Sequence, residues 1–221
     1  MTKAVIFDMD GLLVDTEWVG HRVYEEILKD YGIPFTKQEY ARDYCGKTIA
    51  SNVVTFINTY NLPWSFAQGM EIVVEMEARL LDLGAELKTG AQELLAYLKA
   101  NGYRIALGTS SEEMRARKLL RQHDIEGFFD AFVFEQDVTR GKPYPDIFLK
   151  ACEKLEEAPE NCLVLEDSHN GLRAAKAAGC IALAVPDLDP APEASLGLWD
   201  YQREYLDQVI PILEELTRIH K

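Results

Sequence analysis

Five short apolar runs recur along the chain, and each is followed by polar or turn-forming residues. The runs cover residues 4–7, 104–107, 131–134, 162–165 and 181–185, and all are apolar except for Arg104 at the start of the second. They are short, rich in branched side chains and free of polar alternation, which is typical of strands that are buried on both faces of a parallel sheet. The pattern therefore predicts five buried strands.

Helical patterns lie between these runs, at residues 91–100, 112–122, 146–155 and 170–178, and the last of them is closed by Gly179. Strands that alternate with helices predict an α/β fold on a parallel sheet. Residues 206–219 carry apolar positions at helical spacing and predict a final helix packed on the sheet, while residues 187–192 predict a loop.

The alternation is interrupted between residues 16 and 83. Helical patterns at 18–28, 47–57 and 66–81 follow one another there without a strand run. We expect residues 16–83 to form an all-helical domain inserted into a core domain of residues 1–15 and 84–221. Turn-rich crossings between the two predict a lid that can hinge.

Charge and cysteine content narrow the classes of partner. The 221 residues carry 23 basic and 37 acidic side chains, for a formal net charge of −14, so nucleic acids and anionic membranes are not expected as partners. The four cysteines are widely spaced, which indicates free thiols and neither a zinc site nor a disulfide framework. The first ten residues leave no room for an apolar leader, so we expect a cytoplasmic protein, and we expect a monomer.

Polar side chains follow several of the predicted strands, where parallel sheets bind ligands. Asp8 and Asp10 follow the first strand, and Asp167 follows another. Hard oxygen ligands that converge in this way favour Mg²⁺, although an Asp-x-Asp pair also occurs in turns and helix caps. Thr109 and Ser110 offer donors for a phosphate group.

Lys142 and the serines after Thr109 each have an alternative interpretation. Ser110 or Ser111 followed by two glutamates is equally typical of a helix N-cap. Lys142 can neutralise the carboxylates and a bound phosphate, whereas a surface lysine is the usual alternative. The prolines that follow Lys142 stiffen the backbone, which favours the first interpretation.

Four ordered motifs resemble those of the haloacid dehalogenase superfamily of aspartate-nucleophile phosphotransferases, in the subgroup with a helical cap after the first motif. The motifs are FDMDGLLVDTE at residues 7–17, Thr109, Lys142 within GKPYPDIF, and Glu166-Asp167-Ser168 with Gly171. The resemblance covers essentially the whole chain. It implies a Rossmann-like core with an inserted cap domain.

The resemblance also implies a role for each motif residue. Asp8 is the nucleophile that takes the phosphoryl group, and Asp10 protonates the leaving oxygen and then activates water. Mg²⁺ is held by Asp8, the Asp10 carbonyl and Asp167, with Glu166 as a water-mediated ligand or as an orienting group. The phosphate-binding residues are Gly11, Thr109, Ser110 and Lys142. Dehalogenases lack the second aspartate, so Asp10 indicates phosphate ester substrates.

The resemblance leaves the substrate open. A sugar phosphate or a nucleoside 5′-phosphate is expected, and His21 and Lys47 of the cap are the candidate substrate contacts, although a histidine on a helix can equally be packed or solvated. A β-phosphoglucomutase-like mutase is the alternative. The turn at residues 45–51 lacks the arginine with which that mutase holds a second phosphate, so hydrolysis is favoured. A non-catalytic protein that binds phosphorylated ligands is the alternative of another class.

Overall fold

The computed structural model describes residues 2–45, 47–187 and 197–218. Contacts divide the chain into two compact units: a sheet unit, Met1–Asp15 with Glu86–Lys221, and a helical unit, Thr16–Ala85. Gly46 of the predicted turn, residues 188–192 of the predicted loop and Ile219 of the predicted final helix lie outside the described residues.

The described residues of the helical unit form four helices. They are α1 (Thr16–Lys29), α2 (Lys37–Asp43), α3 (Ile49–Tyr60) and α4 (Phe66–Asp82). Hydroxyl side chains start three of them, and Ser65 forms a full capping box with Gln68 at the start of α4. Aromatic rings fill the interior of this unit, with the Tyr24 and Phe56 centroids 4.7 Å apart. The seven-residue helix α2 was not predicted, because it is too short to show a helical repeat and buries only Tyr40.

The sheet unit is built on a six-stranded parallel sheet. Its strands are β1 (Ala4–Phe7), β2 (Arg104–Gly108), β3 (Ala131–Val133), β4 (Cys162–Glu166), β5 (Ile181–Ala184) and β6 (Tyr201–Gln202), in the order β3-β2-β1-β4-β5-β6. The first five match the predicted runs within a residue at either end, so the α/β prediction is confirmed. Strand β6 has two residues, neither of them buried, and therefore leaves no apolar run to recognise.

Five helices of the sheet unit follow the predicted pattern. They are α5 (Ala91–Ala100), α6 (Glu113–Gln122), α7 (Asp146–Leu155), α8 (His169–Ala178) and α9 (Ile210–Arg218). The final helix was predicted from residue 206, and that start is wrong, since residues 206–209 form a separate 3₁₀ turn. Pro211 lacks the N–H that a helix interior requires at its position, so the α-helix begins immediately before it.

Register within the sheet brings the candidate residues to one edge. Phe7 lies opposite Leu107 on one side and Leu165 on the other. The residues that follow β1, β2 and β4 therefore reach the same carboxyl-terminal edge, at the point where the strand order reverses direction.

The structure describes all four cysteines. The four cysteines are free, as predicted; three of them are buried, and Cys45 is partly exposed. No helix in the described part of the chain combines the length and the apolar character needed to cross a lipid bilayer.

Candidate active site

Backbone hydrogen bonds fix the first residues beyond the strands. The Asp8 N–H donates to the Leu165 carbonyl at 3.1 Å, and the Thr109 N–H donates to the Val133 carbonyl at 3.1 Å. Both side chains are buried, with 6% exposure for Asp8 and 1% for Thr109. The sheet ladder therefore continues past the ends of β1 and β2 and holds two of the predicted site residues in place.

Lys142 connects the carboxylates that follow β1 and end β4. Its Nζ donates to Asp8 Oδ1 at 2.6 Å and also donates to the Glu166 carboxylate, and the lysine side chain is only 8% exposed. Glu166 is fully buried and accepts two more hydrogen bonds, from the Ser168 N–H at 3.0 Å and the Ser168 hydroxyl at 2.9 Å. Lys142 is thus held inside the site and is not a surface lysine.

Two glycines allow the carboxylates to pack this closely. Gly11 has a φ of +78°, and a Cβ there would overlap the Asp167 carboxylate. A Cβ at Gly171 would overlap the Glu166 carboxylate. At Gly171, which lies within α8, the close approach of the backbone to the Glu166 carboxylate is what requires glycine. At Gly11 the close approach to Asp167 adds to the requirement of the left-handed φ.

Burial and mutual repulsion raise the pKa values of the Asp8 and Asp167 carboxyl groups. Burial raises the pKa of Asp8 to about 7; Lys142 opposes the rise, and Glu166 and Asp10 add to it. Burial also raises the pKa of Asp167 well above its usual range, with further contributions from Glu166 and Asp8. Burial lowers the pKa of Lys142, but the carboxylates of Asp8 and Glu166 outweigh burial, and the net effect is a raised pKa. One ammonium group therefore does not fully compensate the carboxylates.

The same carboxylates fit a divalent cation. Oxygen atoms of Asp8, Glu166 and Asp167 lie within 4.8 Å of one another. An all-oxygen set of this kind suits a hard cation such as Mg²⁺, and such a cation would supply the positive charge that the cluster lacks.

The Asp10 side chain turns to a different set of partners. Its Oδ2 accepts from the Ser111 hydroxyl at 2.6 Å, and its Oδ1 accepts from Arg115 Nη1 at 2.7 Å. Asp10 was predicted as a metal ligand through its backbone carbonyl, and these contacts of the carboxylate are compatible with that prediction.

Sequence reasoning missed Ser111 and Arg115 as site residues. Ser110 or Ser111 was considered as the cap of the following helix, but α6 has Glu112 at its N-cap and no side-chain cap bond. Ser110, predicted to bind phosphate, is exposed. The available sequence clue was the spacing of Ser111 and Arg115, which are four residues apart and so lie on one face of a helical turn.

The two residues proposed from the helical unit lie in different environments. His21 is 3% exposed and stacks between Trp18, at a centroid distance of 5.2 Å, and Phe35, at 5.5 Å. Burial lowers the pKa of His21. Lys47 is exposed, and its Nζ donates to the Asp43 carbonyl at 2.6 Å. Substrate contact by either residue stays a prediction.

The raised pKa of Asp8 predicts a stability that depends on pH and on metal. The folded carboxyl, with a pKa of about 7, keeps a proton that the unfolded chain, with the ordinary value of 3.8, has already released. The melting temperature of the metal-free protein should therefore fall as the pH rises from about 5 to about 8. Mg²⁺ should reverse this fall at pH 8, because the cation replaces the missing proton.

Differential scanning fluorimetry across this pH range, with EDTA or with Mg²⁺, measures the effect. Asp8→Asn is the matched variant, since it removes the titrating group at nearly constant size, and its melting temperature should depend less on pH. If the melting temperature of the metal-free protein rises from pH 5 to pH 8, the raised pKa of Asp8 is contradicted.

Comparisons with known proteins agree with this geometry. Residues 2–179 match the family model for haloacid dehalogenase-like hydrolases. The chain is 34% identical over 177 residues to a phosphorylated carbohydrates phosphatase of Thermotoga maritima, covering 80% of this chain and 82% of the relative. It is 30% identical over 220 residues to the β-phosphoglucomutase of Bacillus subtilis, covering 96% and 94%.

A solved structure shows the same architecture over nearly the whole length. The crystal structure of a haloacid dehalogenase family hydrolase from Deinococcus radiodurans, with bound phosphate and sodium, superposes with a TM-score of 0.85 at 26% identity and covers 97% of this chain and 96% of that chain. The fold, the carboxylate edge and these matches lead to one conclusion: the chain belongs to the haloacid dehalogenase-like hydrolase family.

Proposed function

We propose that this hydrolase is a Mg²⁺-dependent phosphatase of small phosphate monoesters, of the sugar phosphate or nucleoside 5′-phosphate type, and that it acts through an aspartyl-phosphate on Asp8. The observation that carries the proposal is the Asp8 carboxylate, buried and bonded by Lys142 beside Glu166 and Asp167. A relative is named a phosphatase of phosphorylated carbohydrates, and a similar structure holds phosphate, which supports this choice of substrate class.

In this proposal, Asp8 is the nucleophile. Its carboxylate oxygen forms a bond to phosphorus while the bond between phosphorus and the ester oxygen breaks. Lys142 bonds Asp8 Oδ1 at 2.6 Å and so restrains the carboxylate before attack. The Thr109 hydroxyl accepts a hydrogen bond from the Ser111 N–H at 3.1 Å, and its own hydrogen can be donated to a phosphate oxygen.

Asp10 moves the protons in both halves of the reaction. Its carboxyl group gives a proton to the departing ester oxygen, which leaves as an alcohol. The resulting carboxylate takes a proton from water, whose oxygen attacks phosphorus, breaks the bond to Asp8 and releases inorganic phosphate. Asp8 and Asp10 are then back in their starting states.

Residues Asp8, Glu166 and Asp167 would hold the cation, together with the Asp10 carbonyl. When bound, Mg²⁺ neutralises charge on the phosphate and on the nucleophile. Lys142 donates hydrogen bonds to both Asp8 and Glu166, so it restrains the positions of these carboxylates and offsets part of their negative charge.

The helical unit is proposed as the cap that selects the substrate, with Lys47 and His21 as its candidate contacts. The similarity to a β-phosphoglucomutase keeps a phosphosugar mutase as the second candidate. Hydrolysis is favoured because the turn at residues 45–51 has no arginine for a second phosphate and because no lysine occurs between Lys47 and Lys88. A bisphosphorylated intermediate would therefore lack part of its binding site.

Product analysis on a panel of phosphate esters separates these candidates. The panel contains hexose phosphates, hexitol phosphates and nucleoside 5′-phosphates with Mg²⁺, and β-glucose 1-phosphate with a trace of the 1,6-bisphosphate. We expect inorganic phosphate from several sugar phosphates, because the turn at residues 45–51 has no arginine to hold a second phosphate. Glucose 6-phosphate formed without free phosphate would establish a mutase. No turnover, together with saturable binding of a phosphorylated ligand, would favour a binding protein.

A further inference from the structure

We propose that Arg115 is a positioning residue for the reaction: together with Ser111, it holds the carboxylate of Asp10 in the orientation needed for proton transfer. This inference rests on the proposed role of Asp10 as the general acid and base. Arg115 belongs to α6, outside the four motifs on which the resemblance rests.

Three hydrogen bonds join Asp10, Ser111 and Arg115 in a closed triangle. Arg115 Nη1 donates to Asp10 Oδ1 at 2.7 Å and to the Ser111 Oγ at 2.6 Å, and the Ser111 hydroxyl donates to Asp10 Oδ2 at 2.6 Å. Each oxygen of the Asp10 carboxylate therefore has its own donor. Rotation of the carboxylate about its side-chain bonds would break at least one of these bonds.

The position of Arg115 on α6 separates it from the other arginines of the helix. Arg117 pairs with Glu113 at 2.7 Å and with Glu126 at 2.8 Å, and Arg121 pairs with Glu126 at 2.6 Å. These two arginines form an ion-pair network away from Asp10. Arg115, four residues after Ser111, lies on the helix face where Ser111 and Asp10 meet, and its side chain is 29% exposed.

A fixed carboxylate matters because proton transfer requires the donor and acceptor atoms within hydrogen-bond distance at the moment of reaction. The Asp10 side chain is 30% exposed, so without Arg115 it has room for other rotamers. Loss of Arg115 is therefore expected to slow the steps that use Asp10 and to leave phosphate binding nearly unchanged.

The test compares Arg115→Met with Arg115→Lys, and with Arg117→Met as the matched control on the same helix. With the best sugar phosphate of the panel, we expect Arg115→Met to lower kcat by about 10- to 100-fold with KM within about twofold of the wild type. Arg115→Lys should restore part of the loss, because lysine keeps the charge without the planar geometry of the guanidinium group. Arg117→Met should keep wild-type kcat.

A second substrate tests whether Arg115 acts through Asp10. p-Nitrophenolate leaves without protonation, so single-turnover release of p-nitrophenolate from p-nitrophenyl phosphate does not need the general acid. Arg115→Met should release it at nearly the wild-type rate while the sugar phosphate reaction remains slow. Equal losses with the two substrates, or a raised KM at unchanged kcat, would mean that Arg115 contacts substrate or only stabilises the fold, and either result would overturn the inference.

The variants also distinguish failure of the proposed function from failure of the role of Arg115. If Asp10→Asn keeps normal turnover of the sugar phosphate, Asp10 is not the acid and base, whatever Arg115 does. If Asp10→Asn is inactive and Arg115→Met keeps wild-type kcat, the proposed function stands and the positioning role of Arg115 is refuted.

Discussion

Asp8→Asn is expected to abolish phosphate release, with a loss of about 10⁴-fold or more in kcat, which is the scale seen when a catalytic nucleophile is removed. An amide of the same size keeps the side chain in place beside Lys142 but cannot form the aspartyl-phosphate. The measurement is phosphate release from the sugar phosphate that the wild type turns over fastest, with Mg²⁺ present. Incubation with a ³²P-labelled substrate followed by acid quench should label the wild type and not the variant.

The control variant is Asp130→Asn, which changes a second carboxylate of the sheet unit in the same way. Asp130 precedes β3, at the opposite end of the sheet, and its Oδ2 accepts from the Ile105 N–H at 2.8 Å. Asp130→Asn should keep activity while losing some stability. Asp8→Asn should melt no lower than the wild type in EDTA at pH 8, because it relieves repulsion within the buried carboxylates. Normal turnover by Asp8→Asn would show that the nucleophile is another group.

Removal of divalent metal is expected to lower activity by about 10³-fold or more, since charge stabilisation by a bound cation contributes several kcal/mol to such transition states. Dialysis against EDTA followed by titration with Mg²⁺ should restore turnover along a saturation curve. Isothermal titration calorimetry with Mg²⁺ alone reports binding independently of activity. Turnover that persists in the metal-free protein would contradict the proposed cation site.

Asp167→Asn tests whether Asp167 is a ligand in the proposed cation site. Asp167 shares the carboxylate cluster with Asp8 and Glu166. The variant should require a higher Mg²⁺ concentration for half-maximal activity and should show weaker Mg²⁺ binding by calorimetry, because a neutral amide oxygen is a poorer ligand for a hard cation. Unchanged Mg²⁺ affinity would exclude Asp167 as a ligand.

Most of the sheet was predictable from the sequence. The five longer strands are continuous apolar runs because a parallel sheet is covered on both faces, and this requirement leaves a direct trace in the sequence. The short elements α2 and β6 leave no such trace, since they bury one residue or none. The start of α9 was misplaced because the apolar spacing continues through residues 206–209, whereas the missing backbone N–H of Pro211 sets the boundary.

The candidate site, too, was predictable from the sequence only in part. Motif residues Asp8, Lys142 and Glu166 were predicted, and the structure brings the three into direct contact. The contacts of Asp10 were not predicted, because Ser111 and Arg115 lie 101 and 105 residues away in the chain and belong to an otherwise ordinary helix start. Neither residue type nor local spacing identifies which carboxylate such side chains will meet.

By itself, the sequence determined the fold class, the order of the main elements and the residues that follow the strands, because burial and backbone geometry restrict which residues can occupy such positions. Only the tertiary structure decided which charges meet. It placed Lys142 between Asp8 and Glu166, put Gly11 and Gly171 against the carboxylates of Asp167 and Glu166, and directed Arg115 to Asp10. Such pairings depend on distances of a few ångströms between segments far apart in the chain, and those distances are set when the strands and helices pack together.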